Sequence, residues 1–158
     1  MVSLIRSVTC LFGAAALLAH AMPAAATARM AVGKVTISAN GARSNEVSGD
    51  ETAAACRRFR LAPTDVRSFF AGARRVDARA FHHDLSMSRC HAAGTLKLAS
   101  GGSARWFIDL ERRGSLSLPS GRTLYFYCLA CRSPKFDEVD DEDREMAEAL
   151  FRASKPQR

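Results

Sequence analysis

The sequence predicts an α+β domain: an antiparallel four-stranded meander packed on one amphipathic helix, with an acidic amphipathic helix at the C-terminus. Three observations predict it. Val66, Phe69, Phe70, Ala73 and Val76 recur at helical spacing. From Cys90 to Cys128 the apolar period falls to two, interrupted by turn sequences. Seven acidic residues then crowd Asp137–Glu145, just ahead of Met146, Ala147, Leu150 and Phe151. A chain of 158 residues has room for one domain. Its 47% apolar and 25% charged residues exclude a disordered or collagen-like protein.

The N-terminus reads as an address. Met1–Ser7 carries Arg6, and Val8–Ala19 is apolar but shorter than the roughly 20 residues of a spanning helix. Small-residue sites follow at Ala19-His20-Ala21, Ala24-Ala25-Ala26 and Ala26-Thr27-Ala28, the pattern of a secretory signal cut after Ala28 or Ala26. Thr9 precedes Cys10, and most of the apolar run follows it, which disfavours a lipid-attachment cysteine. Residues 1–28 are therefore expected to be a signal peptide. No transmembrane segment is expected after its removal, and the mature protein is expected to be periplasmic or secreted.

The rest divides into an N-terminal strand and flexible loop (29–50), a single α+β domain (51–136) and the acidic helix with its tail (137–158). Met30–Ser38 alternates loosely and predicts a strand, whereas Ala39–Asp50 is rich in Asn, Gly and Ser and predicts a loop. Glu51–Leu61 fits helix or extended chain. Thr64 or Asp65 caps a helix over Asp65–Val76. In the meander Cys90, Ala92, Gly94, Leu96 and Leu98 share one parity, and Trp106, Ile108 and Leu110 share another face from Arg105, Phe107, Asp109 and Glu111. Leu116 and Leu118, then Leu124, Phe126 and Cys128, complete it, with Thr123, Tyr125 and Tyr127 on a wetter face.

Charge is uneven. The net is +7, but Arg29–Phe136 carries 18 basic and 8 acidic residues while Asp137–Arg158 carries 4 and 8. Nineteen of the 23 basic residues are Arg, a bias that a GC-rich genome produces by itself. The clusters Arg57, Arg58, Arg60 and Arg74, Arg75, Arg79 suit either a solvated face or an anionic partner. Export argues against nucleic acid.

Four cysteines remain after cleavage: Cys56, Cys90, Cys128 and Cys131. An even number in an oxidising compartment predicts disulfides, and three pairings are possible. A Cys128–Cys131 bond requires a turn at Leu129-Ala130, because extended chain holds the two Cα atoms roughly 10 Å apart and a disulfide needs less than about 7 Å. The Cys128-x-x-Cys131 motif also suits redox chemistry or zinc, with Cys56, Cys90, His82, His83 or His91 as further ligands. Pro134 follows the motif where a redox site would place a helix, and no second Cys-x-x-Cys exists. His82-His83-Asp84, with Met87 and His91, is a candidate metal or general-base cluster, but no nucleophile and carboxylate surround it. No catalytic residue is assigned, no cofactor is expected, and the balance falls against an enzyme.

The order Cys56-Arg57-Arg58-Phe59-Arg60-Leu61, Phe69-Phe70, His82-His83-Asp84-Leu85, Cys90-His91-Ala92-Ala93-Gly94-Thr95-Leu96 and Trp106 resembles a group of small uncharacterised exported bacterial proteins. The resemblance covers roughly Cys56–Cys128. It implies a small disulfide-bearing α+β domain and the pair Cys56–Cys90, leaving Cys128–Cys131 as the second pair, and it implies no activity. The functional expectation is a non-enzymatic binding or inhibitor/immunity-type module of the cell envelope, meeting an envelope protein or an anionic surface. The alternative is a redox or metal-binding protein using Cys128, Cys131 and the His82-His83 loop.

Overall fold

The computed structural model describes residues 32–99, 101–131 and 135–153. The expected signal peptide and its cleavage sites lie outside them. The order is β1 (Val32–Arg43), α1 (Ala53–Cys56), α2 (Pro63–Gly72), β2 (Arg74–Val76), a π-helical turn (Ala80–Asp84), β3 (Cys90–Leu98), β4 (Ser103–Asp109), β5 (Arg113–Ser117), β6 (Thr123–Tyr127) and α3 (Asp141–Ala153).

The class is α+β, with one antiparallel sheet and a C-terminal helix. The sheet is not the four-stranded meander expected. It has six strands in the order β1-β3-β4-β5-β6-β2. The two outer strands escaped the sequence pattern for different reasons. β1 was expected to end at Ser38 but runs to Arg43, with register shifts between Ile37 and Ala39 and between Asn40 and Ala42. These bulges break strict alternation, so Asn40 and Gly41 read as a loop. The Asn40 side chain is held by donating to the Leu61 carbonyl at 3.0 Å and accepting from the Leu61 N–H at 2.9 Å. β2 lies where the helix was expected to continue. α2 starts at Pro63, with Asp65 Oδ2 accepting from the Ala62 N–H at 2.7 Å, and it stops at Gly72. Ala73 is already extended, and Arg74–Val76 pairs with Tyr127–Tyr125 of β6.

α2 covers one face of the sheet. Its Val66, Phe69 and Phe70 join Phe59 and Leu61 from the preceding segment over Leu96, Trp106, Ile108, Leu116 and Phe126, all buried. Phe70 meets both Phe69 and Phe126 edge-on, with centroids 5.2 and 5.5 Å apart. Trp106 pairs across the strands with Gly94. Its Nε1–H donates to the carbonyls of Thr36 and Thr95, each at 3.2 Å. A side chain at position 94 would collide with the Thr36 backbone, so Gly94 is what lets β1 approach.

The opposite face is not simply wet. The π-helical turn brings Phe81 and Leu85 onto it, and α3 brings Ala147 and Phe151. Tyr127 and Asp109, both expected to face solvent, are buried beneath them, and Val76 packs against the same small core. α3, Asp141–Ala153, lies within the stretch expected to hold the acidic helix and its tail. Asp140 Oδ1 accepts from the Asp143 N–H at 2.8 Å at its start, and Asp141, Glu142 and Asp143 fill its first turn, where the helix dipole favours anions. Met146, grouped in sequence with Ala147, Leu150 and Phe151 on this helix, is 39% exposed. Among the described residues no helix is long and apolar enough to cross a membrane.

Candidate functional site

The four cysteines form Cys56–Cys90 and Cys128–Cys131, with Cα atoms 4.7 and 5.3 Å apart. The first ties α1 to the first residue of β3, and both of its residues are fully buried. The second closes the turn at Leu129-Ala130. That turn is also held by backbone bonds: Cys131 N–H donates to Cys128 C=O at 3.2 Å, and Cys128 N–H to Arg112 C=O at 3.1 Å. The two bonds differ in what they contribute. Closing the 34-residue separation removes about 4 kcal/mol of chain entropy from the unfolded state, against about 2 kcal/mol for the separation of three.

The histidines do not assemble. His82 and His83 lie exposed on the π-helical turn, their ring centroids 6.4 Å apart, so the segment is a helical turn and not the loop expected. His82 sets its ring edge-on to Tyr125 at 5.3 Å. His91 lies on β3, stacked on Phe107 at 5.2 Å. Among the described residues no three His, Cys, Asp or Glu side chains come together as a metal site.

The sequence did not signal a buried ion pair on the second face. Asp109 and Arg113 expose 0% and 3% of their side chains. Arg113 donates from Nε and Nη2 to Asp109 Oδ2 at 2.9 and 2.8 Å, and its N–H donates to Oδ1 at 2.9 Å. Its Nη1 donates to the Phe81 carbonyl at 2.6 Å, and the guanidinium lies 4.7 Å over the Phe81 ring. Burial pushes the Asp109 carboxyl up to about 6, although the Arg113 charge and its hydrogen bonds pull the other way. Next to it, burial and then the negative charges of Asp137, Asp109 and Asp143 push Glu111 up to about 7. Burial and the same acidic neighbourhood, with Asp143 foremost, raise the Tyr127 phenol to about 12. Ser86 Oγ donates to Asp143 at 2.9 Å, which joins this group to α3. The ion pair is a structural knot: Arg113 and Asp109 satisfy each other and leave no free polar atom for a ligand.

The candidate binding surface is the outer side of the helical layer. Cys56, Phe59, Leu61, Val66, Phe69 and Phe70 point inward, and that leaves Arg57, Arg58, Arg60 and Arg67 outward and exposed. Among the described residues none of these four guanidinium groups is hydrogen-bonded or ion-paired. Two acidic residues of this layer are engaged by other groups, and Asp50, exposed ahead of α1, forms no ion pair with any of the four arginines. Asp65 holds Lys135, and Glu51 accepts from Ser88 Oγ at 2.6 Å and from the Arg89 N–H at 3.1 Å. Burial would raise both carboxyls, but these bonds and the Lys135 and Arg89 charges outweigh it and hold them below the usual range. The four arginines therefore project positive charge with no directly paired carboxylate among the described residues, while the acidic run is gathered on and before α3. The two large apolar side chains exposed among the described residues are Met87, in the segment before β3, and Met146, on α3.

Compared with known protein families, curated proteins and solved structures, the chain matches none.

Proposed function

We propose that this protein is an exported, disulfide-stapled binding module of the cell envelope, which meets an acidic partner protein through the helical layer bearing Arg57, Arg58, Arg60 and Arg67. The observation that carries this reading is the set of four exposed guanidinium groups without a directly paired carboxylate among the described residues. Such a set raises the local potential and steers an anionic partner. Arginine pairs with carboxylates in a bidentate fork and is enriched at protein interfaces, whereas lysine is depleted there. Among the described residues, α1 and α2 carry no exposed large apolar side chain, which favours carboxylates of a protein over insertion into a lipid surface. Export is supported by the N-terminal charge, apolar run and small-residue sites, and by two closed disulfides.

The test uses the mature protein as bait in an envelope extract, beside two variants. One reverses Arg57, Arg60 and Arg67 to Glu. The other reverses Arg105 on β4 and Arg122 in the turn before β6, both exposed. The wild type and the sheet variant should enrich the same acidic protein, and the helical-layer variant should lose it. Equal capture by all three overturns the reading.

A further inference from the structure

A groove of about 460 Å³ runs between the Cys128–Cys131 turn and α3. This lies within the roughly 300–1,000 Å³ typical of small-molecule sites. Leu129, Ala130 and Phe151 give it an apolar floor, and Arg74, Arg144 and Arg152 stand around it with Glu148 as the sole lining acid. Glu148 is 3.6 Å from Arg152, so two positive charges remain in excess. Arg74 is fixed in place: its Nη2 donates to the Phe151 carbonyl at 3.2 Å, and its guanidinium lies 4.0 Å over the Phe151 ring. Gly72, also in the lining, is exposed at the end of α2. A Cβ there would lie 3.6 Å from Cys128 Sγ and 4.0 Å from Cys131 Sγ. With no side chain at Gly72, only backbone of that lining residue stands between the groove and the two sulfurs, whose own residues lie just behind the lining. Of the two sulfur-bearing residues, Cys131 is half-buried and Cys128 is fully buried.

We propose that this groove is a thiol–disulfide exchange site for a small anionic thiol, one with carboxylates near its sulfur, as in glutathione. The arginines draw in the carboxylates and favour the thiolate. The thiolate attacks Cys131 Sγ; the new S–S bond forms as the Cys131–Cys128 bond breaks, and its electron pair leaves on Cys128 Sγ, which takes up a proton. A second thiolate attacks the bound thiol's sulfur and releases Cys131 as a thiolate. Two thiols are oxidised to their disulfide and the protein disulfide is reduced to a dithiol. The turn does not depend on the bond that opens. Its Cys131-to-Cys128 and Cys128-to-Arg112 backbone bonds remain, and Arg112 Nε still donates to the Cys131 carbonyl at 3.1 Å.

The test exposes the folded mature protein to reduced glutathione, to uncharged 2-mercaptoethanol and to cationic cysteamine. Opening of each disulfide is followed by alkylation and mass mapping, and each rate is divided by that thiol's rate with a free small-molecule disulfide. Glutathione should be preferred by about tenfold at Cys128–Cys131. Arg144→Gln with Arg152→Gln should erase that preference. Gly72→Leu, at a position with room for a Cβ, should slow all three thiols with the fold intact by circular dichroism. Normalised rates equal for the three thiols, indifference to the arginine variants, or earlier opening of Cys56–Cys90 would each overturn the proposal.

Discussion

Asp109→Ala strands a buried guanidinium. In the native fold Asp109 is fully buried and takes three hydrogen bonds from Arg113, which is 3% exposed at its side chain. Removing one partner of a buried pair costs about 3–5 kcal/mol, because the survivor keeps its desolvation penalty without its counter-charge. Against a total stability of about 5–15 kcal/mol, that is enough to unfold a marginal domain. The reverse change, Arg113→Met, is asymmetric. It strands a carboxyl already raised to about 6, which can take a proton and become neutral. Arg113→Met should therefore cost less at about pH 5 than at about pH 8, whereas Asp109→Ala, which removes a carboxyl whose raised native value adds stability as pH falls, should cost more at about pH 5 than at about pH 8. The double variant Asp109→Leu/Arg113→Met removes both charges and should retain most of the stability, apart from about 1 kcal/mol for the Phe81 carbonyl that loses its donor. Urea midpoints and slopes for the four proteins form a double-mutant cycle. A cost below about 1 kcal/mol for Asp109→Ala, or simple additivity in the cycle, refutes the reasoning.

Glu111 gives a pH signature. Its carboxyl is raised to about 7, so its contribution is full at low pH and is lost as pH rises through that value. The urea midpoint should fall from about pH 5 to about pH 8, and Glu111→Gln should flatten the fall; an unchanged slope in the variant rejects the assignment. Phe70→Ala, which removes a ring wedged between Phe69 and Phe126, should cost about 3–5 kcal/mol, whereas His83→Ala on the exposed turn should stay within about 0.5 kcal/mol; chemical denaturation measures both. Replacing Cys56 and Cys90 together by Ser should lower stability about 2 kcal/mol more than replacing Cys128 and Cys131, and equal losses by calorimetry contradict the loop-length argument.

Alternation and helical spacing carried much of the fold. Trp106, Ile108, Leu116 and Phe126 face the core because period two fixes the side of a strand, and Val66, Phe69 and Phe70 mark α2 by period 3.6. The same spacing misled at Ala73 and Val76. After Gly72 the chain turns extended, and Val76 reaches the second core, so an apolar residue at the right interval served a different surface. Asp109 and Tyr127 were assigned to the correct side of their strands but not to burial. What covers that side is α3 and the π-helical turn, distant in sequence and invisible to a local pattern. The arginine clusters were visible as residues. Their lack of directly paired carboxylates was not, because that depends on which carboxylates fold beside them and how those are engaged. The pairing Cys56–Cys90 was implied by resemblance alone; spacing left three possibilities open.

The most direct measurement of the central claim is site-specific photo-cross-linking in cells that export the protein. A photoreactive residue replaces Ser68, exposed on α2 among the arginines, or Thr95, exposed on the opposite face of the sheet. The account predicts one discrete adduct from Ser68, with an acidic envelope protein, and its loss when Arg57, Arg60 and Arg67 are reversed to Glu. An adduct that forms from Thr95 and not from Ser68, or one from Ser68 that survives the charge reversal, contradicts it.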